Sequence, residues 1–269
     1  TNSVVRNLAD KGLSVSNCQN FTLSGNVIED VTSYGAGIGS CQNLVFAGNS
    51  FDNIGSMASE IINCPNAVVE SNIVTNTAQN GLMIELSPNS TVGLNTLEDI
   101  GQHALVLGYE QNISVFGNEI ARVNDYGVYL EDCQNTSIFG NRISEVDQTA
   151  IYGFFGNNAT IVNNDLIDCL GRGIRLDTFP DSWVQGNSLN GDQTSNGIWL
   201  EDSPRGHIQD NLLSSFWVGI YINTCDNTTI QSNEVIDAAF GGITSLFSNN
   251  AIIADNDIQH AENGGIKLG

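Results

Sequence analysis

The chain has 269 residues, of which 28 are glycine and four are proline, and only 7% are aromatic. Its 30 acidic and 8 basic residues give a formal net charge of -22, so there is no basic stripe that would displace counterions from a nucleic acid. No stretch approaches the roughly 18 continuous apolar residues that a membrane-spanning helix needs. We therefore expect neither a nucleic-acid partner nor membrane insertion, and the acidity suits a rod with much surface per residue.

An asparagine recurs every 23 residues through nearly the whole chain. It occupies Asn26, Asn49, Asn72, Asn95, Asn118, Asn141, Asn164, Asn187, Asn211, Asn233 and Asn256. The only slips are one extra residue before Asn211 and one fewer before Asn233. A period of about 20 to 50 residues marks a repeat architecture, and spacing this even predicts a solenoid whose turns carry no inserted loops.

Each repeat predicts three short strands and no helix. In residues 118–140, one strand begins at Ile120, and the next carries Val128 and Leu130 in period-2 alternation. A third strand includes Ile138, and no apolar run is long enough for a helix. Parallel stacking would pair each strand with its copy about 4.8 Å away, with a right-handed crossover. The sequence thus predicts an all-β, single-stranded right-handed parallel β-helix of about 11–12 rungs.

The repeated N-x-I, G-I-x-L and C-x-N-x-T-I patterns resemble the parallel β-helix repeat family, which includes pectate-lyase-like, polygalacturonase-like and NosD-like proteins. The resemblance covers residues 3–269 and implies a fold, not a reaction. Both ends of the chain fall inside the repeat, although a solenoid needs polar caps over its terminal rungs. We expect a single domain, 1–269, that belongs to a longer protein or meets neighbouring domains or copies end to end.

The six cysteines follow the repeat rather than a disulfide or metal pattern. Five share one column of the register, namely Cys18, Cys41, Cys64, Cys133 and Cys225, whereas Cys169 falls in a plainly apolar column. Buried free cysteine behaves as a small hydrophobe, and in-register side chains seldom reach the dihedral that a disulfide requires. We expect structural thiols.

A second asparagine column predicts a ladder at a turn. It comprises Asn20, Asn43, Asn66, Asn89, Asn112, Asn135, Asn158, Asn227 and Asn250. Six of these begin Asn-x-Ser/Thr sequons, but an amide that donates and accepts can bond its copies above and below at a left-handed turn. We favour stacked asparagines over glycosylation.

The strand that follows the repeated glycine builds what we call the first sheet, and function is expected on its outward side. Ile174 and Leu176 exemplify the inward positions, so the position between them and the one after face solvent. In five consecutive repeats the position between carries flat side chains, here called the aromatic ridge: Tyr129, Tyr152, Arg175, Trp199 and Tyr221. The position after contributes Glu85, Glu131, Asp177, Glu201 and Asn223, followed by Asp132 and Asp202, while His103, Tyr126 and Arg172 precede the glycine.

An aromatic ridge edged with carboxylates has the chemistry of a polysaccharide track, because sugar rings stack on aromatics and sugar hydroxyls bond carboxylates. The ridge spans roughly 20 Å, and the resemblance implies the same face, since the first sheet holds the substrate cleft in those families. The substrate-binding candidates are Tyr126, Tyr129, Tyr152, Arg172, Trp199, Tyr221 and Asn223. Exposed aromatics also stack on themselves as good β-formers, which leaves a purely structural role open.

The residues allow more than one reaction. The catalytic candidates are Glu131, Asp177, Glu201, Asp202 and Arg175. Hydrolysis needs two carboxylates about 5–9.5 Å apart, and Asp177 lies one rung from Glu201 and two from Glu131. The polygalacturonase-like pattern has adjacent aspartates, which Glu131-Asp132 and Glu201-Asp202 imitate loosely, and a Gly-His-Gly that is absent here.

A lyase or epimerase would instead remove the C5 proton of a uronate, with Arg172 and Arg175 neutralising its carboxylate. Tyr126-Gly127-Val128 is similar to the start of the alginate-epimerase motif Tyr-Gly-Phe-Asp-Pro-His, but the remainder of that motif does not follow. Ca²⁺ would be needed only to bridge a uronate to this acidic surface. No other cofactor is required, and the three histidines stand on different rungs without metal-ligand spacing.

The remaining class is non-enzymatic. Loops carry catalytic function on many rigid scaffolds, and their absence here suits an adhesin stalk, surface-layer segment, filament or fibre. We predict an extracellular or cell-surface β-helix that binds or processes a polysaccharide, with a structural or adhesive solenoid as the alternative.

Overall fold

The computed structural model describes residues 1–269 and contains three parallel sheets and no helix. Sheet partners lie one repeat apart along the chain, as Tyr129 with Tyr152 and Arg175 with Trp199 do. Each rung therefore contributes one strand to each sheet, and the predicted solenoid is confirmed. No helix is present that is long and apolar enough to cross a membrane.

The first sheet has 12 strands. They are Leu13–Ser16, Ala36–Gly39, Ser59–Ile62, Leu82–Glu85, Leu105–Gly108, Tyr126–Glu131, Thr149–Phe154, Arg172–Asp177, Ile198–Glu201, Val218–Asn223, Gly241–Leu246 and Ile266–Leu268. The second sheet has 11, which are Thr22–Ser24, Val45–Ala47, Val68–Glu70, Thr91–Gly93, Ser114–Phe116, Ser137–Phe139, Thr160–Val162, Trp183–Gln185, His207–Gln209, Thr229–Gln231 and Ile252–Ala254.

The third sheet has 12 strands and closes each rung. They are Val4–Leu8, Val27–Val31, Ser50–Ile54, Ile73–Thr77, Thr96–Ile100, Glu119–Val123, Arg142–Val146, Asp165–Cys169, Ser188–Gly191, Leu212–Ser214, Glu234–Ile236 and Asp257–Gln259. The one register shift in the pairings falls between Leu166 and Cys169, just before the repeat first departs from its regular length.

A single core of stacked aliphatic side chains runs the length of the solenoid. The representative positions Ile120, Val128, Leu130 and Ile138 are all fully buried. The repeated glycine lets the rungs approach, because a Cβ on Gly127 would lie 2.6 Å from the Ala150 carbonyl oxygen and 2.8 Å from Ile143 Cγ2. Successive side chains of a strand point to opposite faces of the sheet, so every second residue lies on the surface.

Both asparagine columns form ladders. In the buried column each Nδ2 donates to the Oδ1 one rung on, for example Asn95 to Asn118 at 2.9 Å and Asn118 to Asn141 at 2.9 Å. In the exposed column Asn112 donates to Asn89 at 3.0 Å, and Asn112 has a φ of 55°, the left-handed conformation that asparagine tolerates. The stacked-amide interpretation of the second column is confirmed, and the first column forms a buried ladder of the same kind.

The cysteine column has a role beyond packing. All six thiols are free, and the backbone N–H of Cys41 donates to Cys64 Sγ at 3.3 Å, as Ser203 N does to Cys225 Sγ at 3.4 Å. Serine does the same where it replaces cysteine, since Cys64 N donates to Ser87 Oγ at 2.9 Å. Burial raises the pKa of Cys133 to about 12, so that thiol stays protonated and structural.

Candidate functional site

The aromatic ridge is a continuous row on the outward side of the first sheet. Its five residues are register partners in consecutive rungs, and all five side chains are half-buried. The Tyr129 and Tyr152 rings lie 5.7 Å apart at 35°, and those of Trp199 and Tyr221 lie 4.9 Å apart at 62°. Tilted and edge-on contacts are the arrangements that ring quadrupoles favour, and they leave part of each ring face open.

Arg175 joins the two halves of the ridge. Its guanidinium lies 5.3 Å from the Tyr152 ring centroid and 5.0 Å from that of Trp199, both within cation–π range. It also holds Asp177 through two contacts, Nε to Oδ1 at 2.9 Å and Nη2 to Oδ2 at 2.6 Å. A planar, bidentate pair of this kind is rigid, so the centre of the ridge is preorganised.

Asp177 differs from expectation in its exposure. Its place in the register predicts a solvent-facing side chain, but only 7% of the residue is accessible, because Arg175 covers it and Tyr152 donates its hydroxyl to Oδ2 at 3.1 Å. Burial and the neighbouring Asp177 carboxylate raise the pKa of Tyr152 well above its usual range. Tyr152 is therefore a hydrogen-bond donor at neutral pH, and Asp177 positions its neighbours.

Glu201 occupies the next rung and is held in a similar way. Trp199 Nε1 donates to Oε2 at 2.9 Å, and Asn223 Nδ2 donates to Oε1 at 2.5 Å. The Oδ1 atom of Asn223 is buried and has no partner. Asp177 and Glu201 are register neighbours, so two carboxylates do lie side by side along the ridge, each already bound to ridge side chains.

His103 and Tyr126 extend the aromatic surface beyond Tyr129. Their rings stack 4.9 Å apart at 11°, and Tyr126 meets Tyr152 edge-on at 5.0 Å. Burial lowers the pKa of His103 despite Asp125, whose Oδ2 lies 3.3 Å from Nδ1. The imidazole is therefore neutral near pH 7, whereas burial raises the pKa of Tyr126 and keeps its hydroxyl protonated.

Glu131 and Asp132 line a separate cavity of about 490 Å³ at the corner of the first and second sheets. Tyr109 and Phe155 flank it, are about half exposed, and have φ values of 56° and 51°, which is unusual for bulky residues. Phe154 lies between Glu131 and Asp177 in the register. Glu131 is thus set apart from the Asp177 and Glu201 pair.

Asp202 lies apart from the ridge on an exposed turn at the same corner, with a φ of 46°. Glu85 is a carboxylate that sequence reasoning did not select as catalytic. Burial raises its pKa, and the charges of Glu60 and Glu131 add to the rise. Nothing in the repeat distinguishes it from the other outward glutamates, because the rise depends on local burial.

The sequence-based prediction also did not include a groove beside the ridge. Trp217 and Phe240 stack 5.1 Å apart at 9° on the turn that enters the first sheet, and with Trp199, Tyr221 and Arg172 they line a cavity of about 390 Å³. Trp217 and Phe240 lie one repeat apart in the sequence, so the repeat did contain this signal.

No group of three or more His, Cys, Asp or Glu side chains in the structure could hold a metal ion.

Comparison with known proteins identifies the family to which the fold belongs. The family model described as "Right handed beta helix region" matches residues 1–130 and 89–215. A second model, "Periplasmic copper-binding protein (NosD)", matches residues 185–269. No match is found among curated proteins.

Several solved structures share the fold at low identity. The catalytic unit of a GH87 alpha-1,3-glucanase from Streptomyces thermodiastaticus is 15% identical with a TM-score of 0.73, over 98% of this chain and 59% of that one. The Dettilon tailspike protein is 15% identical, TM-score 0.67, over 96% and 61%. A periplasmic alginate epimerase is 11% identical, TM-score 0.59, over 92% and 77%.

The chain spans about three fifths of the glucanase unit and of the tailspike, and at these identities the likeness concerns architecture alone. The family model, in contrast, covers most of the sequence in two overlapping segments. Together with the three parallel sheets, this match shows that the chain belongs to the right-handed β-helix family.

Proposed function

We propose that the outward side of the first sheet binds a polysaccharide and that the protein acts outside the cytoplasm. The observation that carries this proposal is the aromatic ridge, five register-aligned side chains on a parallel sheet, each in contact with the next. Half-open rings supply apolar faces for sugars, and the Tyr129, Tyr152 and Tyr221 hydroxyls, whose pKa values are raised by burial, stay protonated as donors.

The fold relatives support this proposal without choosing a reaction. A glucanase, an epimerase and a tailspike all use this architecture, and a fold alone does not imply a function. We extend to this chain only the carbohydrate-directed role that the glucanase and the epimerase have by name.

Two chemistries suit the residues of this face. In hydrolysis, Asp177 and Glu201 would be the carboxylate pair, each released from its ridge partners by a bound sugar. In proton abstraction from a uronate, the neutral His103 imidazole would be the base, protonated tyrosines would donate, and Arg172 and Arg175 would neutralise the carboxylate. Ca²⁺ belongs only to the second chemistry.

A structural or adhesive solenoid is the competing proposal. Sheet partners are spaced evenly, one repeat apart, so no inserted loop encloses the ridge in a cleft. In a structural solenoid, the ridge would stabilise the surface of the sheet through ring contacts between neighbouring strands.

Replacing Trp199 with alanine tests the proposal. The change removes the ring that contacts Arg172, Arg175 and Tyr221, and we expect glycan affinity to fall about tenfold or more, which is roughly 1.4 kcal/mol. Calorimetry against neutral and uronate oligosaccharides measures it, with assays for new reducing ends and unsaturated products. Each measurement is made once with added Ca²⁺ and once with a chelator.

Trp183→Ala is the matched control. Trp183 is an exposed tryptophan stacked 4.5 Å from His207 on the second sheet, so its loss should leave affinity unchanged. Binding without turnover would identify a binding module. A wild-type protein that binds no glycan would reject the proposal in favour of the structural solenoid.

A further inference from the structure

Arg172 is an unpaired arginine in a strongly acidic protein. The chain has 30 acidic residues for 8 basic ones, and each of the other five arginines forms an ion pair with a carboxylate. These pairs are Arg6 with Glu29, Arg122 with Glu98 and Asp99, Arg142 with Asp165, Arg175 with Asp177, and Arg205 with Asp181. No ion pair includes Arg172, so its charge is balanced by nothing in direct contact.

The surroundings of Arg172 make that isolation unfavourable. Its side chain is half-buried, and its Nε is shielded from water without an acceptor. Its guanidinium lies 4.5 Å from the Trp199 ring centroid, a contact that satisfies the charge only in part. Burial lowers the pKa of Arg172 and the nearby positive Arg175 lowers it further, while the Asp177 carboxylate opposes this in part. A buried, unpaired charge is stabilised most by a hydrogen-bonded anion.

The groove that Arg172 enters is basic and aromatic. No aspartate or glutamate lines its cavity of about 390 Å³, although acidic residues outnumber basic ones almost fourfold in the chain. Lys267 lines it as well, with Nζ 5.8 Å from the Phe240 ring centroid and no carboxylate partner. The buried Thr244 Oγ1 has no partner either. The groove is therefore lined by two cations without carboxylate partners, a hydroxyl without a hydrogen bond, and two pairs of aromatic rings.

We infer that this groove binds an acidic sugar unit, its carboxylate or sulfate held by Arg172 and its ring placed between the Trp199/Tyr221 and Trp217/Phe240 pairs. Lys267 lies four rungs along the first sheet from the Arg172 strand and adds positive charge at the far end of the groove. The inference rests on the proposed function, because Trp199 and Tyr221 belong to both the groove and the aromatic ridge. A sugar is favoured over a small free anion because aromatic rings, not only cations, form the walls. Ca²⁺ is unnecessary at this subsite, since the protein supplies the positive charge.

The test compares a hexauronate with its carboxyl-reduced, neutral counterpart and with a sulfated hexasaccharide, by calorimetry at 0.15 M salt in the presence of a chelator. The wild-type protein should bind at least one acidic probe about tenfold more tightly than the neutral one, and the preferred probe identifies the anion. Arg172→Gln should weaken binding of the preferred acidic probe about tenfold and so abolish this preference. Lys267→Gln, at an exposed position, should weaken the preference about threefold.

Arg142→Gln is the matched control, because Arg142 is exposed and paired with Asp165 on the third sheet, and it should retain the full preference. Equal wild-type affinity for acidic and neutral probes would overturn the inference and leave the proposed function intact. A preference that survives both Arg172→Gln and Lys267→Gln, or one that appears only when Ca²⁺ replaces the chelator, would also overturn it. Failure to bind any probe would reject the proposed function itself.

Discussion

Replacing Asn118 with alanine is expected to destabilise the protein by about 4 kcal/mol, because a buried partner left without a hydrogen bond loses about 1–3 kcal/mol. Asn118 Oδ1 accepts from Asn95 N at 3.0 Å and Asn95 Nδ2 at 2.9 Å. Its Nδ2 donates to Val92 O at 3.0 Å and Asn141 Oδ1 at 2.9 Å. Alanine removes all four bonds and leaves the Asn95 N–H and the Val92 carbonyl in a dry core.

Urea unfolding measures the loss, and hydrogen exchange locates it. In a solenoid each rung contacts only its neighbours, so protection should fall first in residues 92–141. Asn112→Gly is the control, because it removes an exposed ladder amide whose φ of 55° glycine adopts freely. It should cost less than about 1 kcal/mol. Comparable losses in both variants would contradict a special role for the buried ladder.

The fold could be predicted almost completely from the sequence, because a parallel β-helix repeats its geometry at the same interval as its residues. Once Asn118 and Asn141 are identified as copies, the register of every strand between them follows. The alignment of Tyr129, Tyr152 and Arg175 on one outward face is a direct consequence and is confirmed.

The repeat could not reveal how side chains bend over one another. Asp177 occupies an outward position in the register, yet Arg175 and Tyr152 cover it. The pairing of Arg175 and the isolation of Arg172 likewise depend on side-chain direction, which spacing does not fix. Position in the register therefore predicts which face a residue joins, and side-chain contacts decide what it can do there.

The turns hold the other residues that the sequence did not single out. Trp217 and Phe240 stand just outside a first-sheet strand, where the rule of strict alternation does not apply. They nevertheless recur one repeat apart, as do Cys41 and Cys64, whose thiol accepts a backbone N–H that only coordinates reveal. The turn columns therefore carry the sequence signal for the groove residues Trp217 and Phe240, as the strand columns do for the aromatic ridge.

Glu110 is expected to make the protein less stable as the pH rises from about 4.5 to about 7. It replaces cysteine in the cysteine column and is fully buried, with Oε1 accepting from Ser87 N at 2.8 Å and Oε2 without a partner. Burial raises the pKa of Glu110 from 4.5 to about 7. The unfolded chain therefore releases this proton near pH 4.5, whereas the folded protein holds it until about pH 7. Its contribution is fully present below 4.5 and lost through that interval.

Glu110→Gln keeps the shape and removes the titration. Since each unit of pKa difference corresponds to about 1.36 kcal/mol, the variant should exceed the wild type in unfolding free energy by roughly 3 kcal/mol at pH 8. At pH 5 the difference should be only about 0.8 kcal/mol, because the folded wild-type carboxyl is still protonated and the unfolded chain has only begun to release its proton. Urea unfolding at both pH values measures the difference. Glu119→Gln is the control, because it removes the same charge from an exposed position, and it should change stability by less than about 0.5 kcal/mol at either pH. A Glu110→Gln effect of the same size at pH 5 and pH 8 would show that the buried carboxyl does not titrate between these pH values.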